Sequence, residues 1–318
     1  MNGIFNRDIT DVANLEQKLM ALAQKERSCA QQSPRKQQIE AADELNVEPV
    51  QLNSSHGYIY VVGFITAQFP SLSLEKEFEQ STGFDESQLG QVNDEVSLQR
   101  LNCNKQLPGL LLTGLSDPNN RHVAREMHWI LDNVEGNETY TLVPSSNEKL
   151  TQLIAALNLT AKQEKVILVG SRLESGVIEV SHLIPANLKA LTKVASLLKS
   201  ANNEFSELVD EILSMNANDG NTDNDRALNY VLYHNAEVYL KSYDFCYKST
   251  PGGPNPSGYQ LVNVRVMTSL SGERWVAKVI FDYQGINTGA KQSWYSAVDV
   301  TGEYPFLLVK WQRFLSHS

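Results

Sequence analysis

"YIYVVGFITAQFPSLSLEKEFEQSTG", residues 58–83, is a β-branched and aromatic run that meets a Phe-Pro corner and turns into a helix-like stretch. The run from Tyr58 to Gln68 reads as a buried strand. Pro70, which has no N–H to donate, ends it. Ser71 or Ser73 then offers a hydroxyl to cap a helix, with Glu75 and Glu77 in the first turn, where the positive end of the helix dipole favours carboxylates. Leu74 and Phe78, four apart, form its buried stripe. The same corner could be a catalytic loop, with Gly63 admitting a ligand and the two glutamates as working carboxylates. A lone glycine is not the spaced set that cradles phosphate. Carboxylates two apart on a helix point about 200° apart and cannot share a substrate proton. The corner turns the chain.

The same hand-over repeats downstream. An apolar run "LPGLLLTGL" leads to 116–136, "SDPNNRHVAREMHWILDNVEG", which is predicted as a single helix. Asp117 stands as its N-cap, Pro118 at the first helical position, and Val123, Met127, Ile130 and Leu131 as its core stripe. A strand over 138–144, a helix over 147–157, a strand over 165–171 and a long helix from about 186 to 214 follow. Upstream, 8–27 reads as an amphipathic helix and the Gln/Ser-rich stretch after it as a polar linker, partly helical around 36–44. The polar break 215–225 is the best domain boundary. Beyond it "DRALNYVLYHNAEVYLKS" is predicted as one helix, and four strand-like runs (259–268, 274–283, 291–300, 305–314) joined by short turns predict an antiparallel meander. The fold class is therefore α+β (mixed α/β), with alternating strands and helices in the N-terminal half. The C-terminal half is expected to be one helix on a four-stranded antiparallel sheet. The expected units are 1–55, 56–216 and 217–318.

The chain has 318 residues, 42% of them hydrophobic, and a formal net charge of -10. That surface repels phosphate backbones, so a nucleic-acid partner is not expected. Six Lys/Arg against four acids after residue 260 make only the last part mildly basic. No apolar run is long enough to span a membrane. Cys29, Cys103 and Cys246 are far apart and form no CxxC pair, which fits a reducing cytoplasm rather than a disulfide framework.

Candidate chemistry is sparse. The acidic loop Asp219, Asn221, Asp223, Asp225 starts like a calcium loop, but its sixth position is Asn224, not Gly, and its twelfth is Tyr230, not Glu. It reads as a linker whose last Asp caps a helix. His122 and His128, on the predicted helix, would be about 240° apart and unable to chelate one ion. His122 would share a face with Glu126, as solvated helical faces usually do. A metal at His128 would need distant partners, the candidates being His182, Cys103, His234 and Cys246, without the closely spaced pairs typical of zinc. No HExxH, GxSxG, GxxxxGK or paired-Cys motif occurs. Tyr283, Trp294, Tyr295 and Trp311 could present aromatic anchors to a peptide on the sheet, or could be core.

Four separated segments carry a resemblance: "YVVGFITAQFPSLSLEKEFEQSTG", "NRHVAREMHWILDNVEGNETYTLVP", "TDNDRALNYVLYHNAEVY" and "SAVDVTGEYPFLLVKWQRFL". In this order they resemble the C-terminal domain of unknown function of the cyanobactin (patellamide-type) maturation proteases, from about Tyr58 onward. The 84–116 region matches poorly, and no protease segment is present, so no Ser-His-Asp set carries over. The resemblance implies a role in a ribosomal peptide (RiPP) pathway. That role would be a non-catalytic accessory module that binds precursor peptide or a pathway protease or modifying enzyme. The alternatives are a zinc-dependent enzyme acting on peptide and a structural homodimerisation domain. Relatives of this kind often carry Cys where His128 stands, and another near Ser181-His182. A structural zinc with His128 and His182 as ligands is thus implied by the resemblance, against a reading with no cofactor.

Overall fold

The computed structural model describes residues 57–84, 107–133, 138–186, 202–247 and 258–315, all within the unit Leu52–Ser318. The expected helix at 8–27, its linker and residues 187–201 of the expected long helix lie outside the described residues.

β1 (Tyr58–Gln68) has apolar side chains on both faces, and each face enters a different core. Ile59, Val61, Ile65 and Ala67 belong to one buried cluster, Tyr60 and Val62 to another. Two-sided burial explains why the strand reads as continuously apolar rather than alternating. The first cluster fills a closed barrel. β1, β2 (His128–Asp132), β3 (Thr139–Pro144), β4 (Val166–Arg172) and β5 (Ile178–Pro185) close in the order β1-β2-β3-β5-β4. All pairs are antiparallel except β3 with β5, which is parallel. Trp129, Leu131, Tyr140, Leu142, Val166, Leu168, Ile178 and Val180 alternate inward. Gly63 occupies an inward position on β1 where a Cβ would lie 2.2 Å from the Asp132 carbonyl oxygen. It serves the close approach of two strands, not a ligand.

Helices cover the barrel. α1 (Leu72–Thr82) starts at Ser71, whose hydroxyl accepts from Leu74 N, and buries Leu74 and Phe78 as the corner sequence predicts. α2 (Leu107–Leu115) packs Gly114 against the Phe78 ring. α4 (Asn147–Ala161) links β3 to β4 and buries Leu150, Leu153, Ile154 and Leu157. Five strands closed in this order, with a helix between the third and fourth, have the connectivity of an OB-fold.

The stretch 116–136 differs from its prediction. Asp117 and Pro118 do start a helix, but it is a single 3-10 turn, Pro118–Asn120, followed by the short α3 (Arg121–Glu126). Met127 then adopts ψ 144, and the chain becomes β2. Trp129 and Leu131 gain more by filling the barrel, with backbone bonds to β1 and β3, than by continuing a helix. Val123 and Met127 are buried as expected, while Ile130 lies on the opposite face from Leu131.

α5 (Asn202–Ser214), α6 (Asp223–His234) and α7 (Ala236–Tyr247) lie in the second core, between the outer faces of β1 and β4 and the C-terminal sheet. The expected single helix is two, because Asn235 leaves helical geometry (φ -106, ψ 87). Its side chain donates to Lys310 O (2.7 Å) and Ser296 Oγ (3.1 Å), pinning the break to the sheet. Thr222, not Asp225, caps α6; Asp225 completes the capping box. The acidic loop before it is structural: Tyr60 N donates to Gly220 O (2.9 Å), Asn229 Nδ2 to Tyr60 O (2.9 Å) and Tyr140 Oη to Asp219 O (2.8 Å). The sheet itself is the expected meander, β6 (Tyr259–Ser271), β7 (Arg274–Gly285), β8 (Lys291–Asp299) and β9 (Phe306–Phe314). The mixed α/β class stands, with a barrel where layers were expected.

Candidate functional site

Four segments bring tyrosines and histidines together beside the outer face of β1. Tyr60 is fully buried, and its ring lies 6.0 Å from Tyr230, 6.3 Å from Tyr304 and 6.2 Å from His234, each near-perpendicular. Tyr230 and His234, one turn apart on α6, are 4.9 Å from ring to ring. Tyr304, in the β8–β9 connection, lies 5.7 Å from His182 of β5. Tyr304, His182 and His234 are open to solvent. The Tyr60 hydroxyl is buried without a hydrogen-bond partner. Burial, then the neighbouring phenols of Tyr304 and Tyr230, hold its pKa well above the usual tyrosine value, so it stays a protonated donor.

Buried polar contacts fix the rim. Arg226 of α6 donates to Val300 O (3.1 Å), Glu303 O (2.9 Å) and Gly302 O, and pairs with Asp223 (2.7 Å). It thereby holds the turn that carries Tyr304. Ser181 Oγ donates to Glu303 Oε1 (2.5 Å), tying that turn to β5 beside His182. Ring faces set at right angles offer apolar contact to a flat side chain. The two imidazoles add donors and acceptors suited to a carbonyl.

His234 gives this patch a pH response. Partial burial holds its pKa below the ordinary histidine value. Its folded form binds protons less readily than its unfolded form, so its contribution is fully present above about pH 6.5 and is lost as pH falls toward the folded pKa. Melting temperature is expected to drop between about pH 7 and 5 less steeply in His234→Gln than in wild type. Identical pH profiles for the two would remove His234 as the cause.

Two family profiles match the chain: "PatG Domain" over residues 58–243 and "PatG C-terminal" over residues 197–314. The chain belongs to the PatG domain family. The family read from four sequence motifs is the one matched. A solved structure described as "PatG Domain of Unknown Function" is similar in fold, with a TM-score of 0.55 at 17% identity, over 81% of this chain and 98% of that one. No curated protein matches. The two profiles overlap on α5, α6 and the start of α7, the helices between barrel and sheet.

In this PatG domain the residues singled out from sequence are dispersed. His128 is the first residue of β2, not part of a helix, and sits opposite Gln68 at one end of β1. His182 sits opposite Val169, level with Tyr60. Those levels are eight residues apart on β1, about 26 Å along that strand, and on the other side β3 lies between the two strands. Ligands of one zinc ion must all lie within about 2.1–2.3 Å of it, so these two imidazoles are not brought to one ion. Among the described residues no three His, Cys, Asp or Glu converge. Cys103 lies outside the described residues, and the Cys246 thiol is pushed up to about 11 by burial. His122, four residues before Glu126 on α3, contacts Glu77 (2.7 Å).

The sheet aromatics divide between two faces. Tyr283 is buried against Ser242 Oγ (2.6 Å). Trp294 and Trp311 stack on each other (6.1 Å, 7°) against Phe245 and Phe281 in the second core. Tyr295 points to the other face, beside Phe314 and beneath Lys278. Sequence reasoning missed Tyr60, Tyr230 and Tyr304, because only the fold brings them within ring contact.

Proposed function

We propose that this PatG domain is a non-catalytic accessory module of a cyanobactin-like ribosomal peptide pathway, one that holds a precursor peptide or a partner enzyme. Family membership across both profiles is the observation that carries this reading. The contact surface is the patch of Tyr304, His182, His234 and Tyr230 packed on the buried Tyr60 ring. Aromatic anchors dominate peptide contacts, and Tyr304, His182 and His234 are the ones open to solvent here. The test is retention of fluorescent precursor peptides and of the pathway protease on the immobilised protein. Wild type is expected to retain at least one of them. Tyr304→Ala is expected to weaken that retention about tenfold, the usual cost of truncating an anchor. Retention of none, or retention unchanged in Tyr304→Ala, would remove the partner or the patch respectively.

A further inference from the structure

β6 and β9 are the two edges of the C-terminal sheet. An edge strand presents unpaired backbone donors and acceptors, and soluble proteins guard such edges with bulges, Lys, Pro or short length. β9 is guarded: its pairing shifts register twice, and it carries Lys310 and Arg313. β6 is 13 residues long, and its single irregularity falls between Leu261 and Asn263. From Val264 to Ser271 it pairs with β7 residue by residue, with no Pro, Gly or Lys. Its one charge, Arg265, is already paired with Asp282 in its own sheet (2.9 Å). Met267 and Leu270 are 44% and 59% exposed. Among the described residues no strand pairs with the outer edge of β6.

We propose that a second copy of this chain occupies this edge, the two β6 strands pairing antiparallel about a two-fold axis through Thr268. In that register the exposed Leu270 of each copy meets an apolar residue, and the one charge meets a small polar one. Val266 faces Leu270 of the partner subunit, Met267 faces Ser269 of the partner subunit, and Arg265 faces Ser271 of the partner subunit. No like charges oppose one another, since Arg265 is held by Asp282 within its own sheet. A two-fold contact makes each of these pairs twice and joins two sheets into one continuous sheet. An unrelated peptide strand would satisfy the backbone but would have no reason to match this side-chain order.

The whole chain is tested by sedimentation velocity from low to high micromolar concentration. A monomer–dimer equilibrium is expected, weakened at least about tenfold by Leu270→Lys, because the guard charge enters twice. Leu270 is exposed, so this variant should keep the wild-type circular dichroism and melting temperature. Thr268→Cys is expected to give a covalent dimer on mild oxidation, while Leu270→Cys, opposite Val266, is not. A chain that stays monomeric throughout overturns the proposal. So does a dimer indifferent to Leu270→Lys, or one in which Thr268→Cys does not cross-link.

Discussion

Arg226→Ala is expected to destabilise the fold by about 3–5 kcal/mol, the range for removing one partner of a buried ion pair. The Arg226 side chain is fully buried and that of Asp223 is 7% exposed, so truncation removes the guanidinium that offsets a nearly buried carboxylate. It also takes the donor from three carbonyls, Val300, Gly302 and Glu303, in the β8–β9 connection. Arg226→Lys, a point donor without the planar fork, should recover only part of the loss. Arg226→Ala combined with Asp223→Ala should be less damaging than the sum of the single changes, since the two side chains share one ion pair. Urea titration reads these values from the midpoint at unchanged slope. A loss under about 1 kcal/mol for Arg226→Ala would mean that the turn is held by something else. Because this turn presents Tyr304, partial-recovery variants should also weaken partner retention.

Trp129→Ala should cost about 3–5 kcal/mol, the usual range for deleting a buried large aromatic ring. Trp129 is 1% exposed inside the barrel, and its indole N–H donates to Ala124 O at 2.9 Å. Trp129→Phe keeps much of the volume but leaves that carbonyl unsatisfied, so it should fall between the alanine variant and wild type. Chemical denaturation with tyrosine fluorescence as the probe separates the three. A mild effect for Trp129→Ala would contradict the barrel placement, because a tryptophan on the surface of a helix would lose little.

The same residue shows why the N-terminal half was only partly legible. Asp117, Pro118 and the apolar spacing after them are real helix-start signals, and the chain obeys them for two short turns. What ends the helix is not local: β2 exists because β1 and β3 lie on either side with backbone groups to pair. β5 follows β4 through the short turn at 173–177, but its other neighbour, the parallel β3, lies before α4 in the chain, and no local turn signal announces that pairing. Where the determinants are local, the reading was close. The Ser71 cap and the Leu74/Phe78 stripe are as predicted, and so are the four C-terminal strands, whose hairpin turns fix their pairing. The site was less legible still. His182 was singled out as a zinc ligand and stands beside Tyr304, while the Tyr60 hydroxyl shows as unpartnered only once the second core has closed around it.

β1 presents Ile59, Val61 and Ile65 to one interior and Tyr60 and Val62 to the other. A wall common to two rooms cannot be taken down on one side alone. Heating should therefore melt barrel and sheet in a single cooperative step. Severing the gene at the polar loop near residue 217 should leave the downstream fragment with a bare apolar flank and a tendency to precipitate.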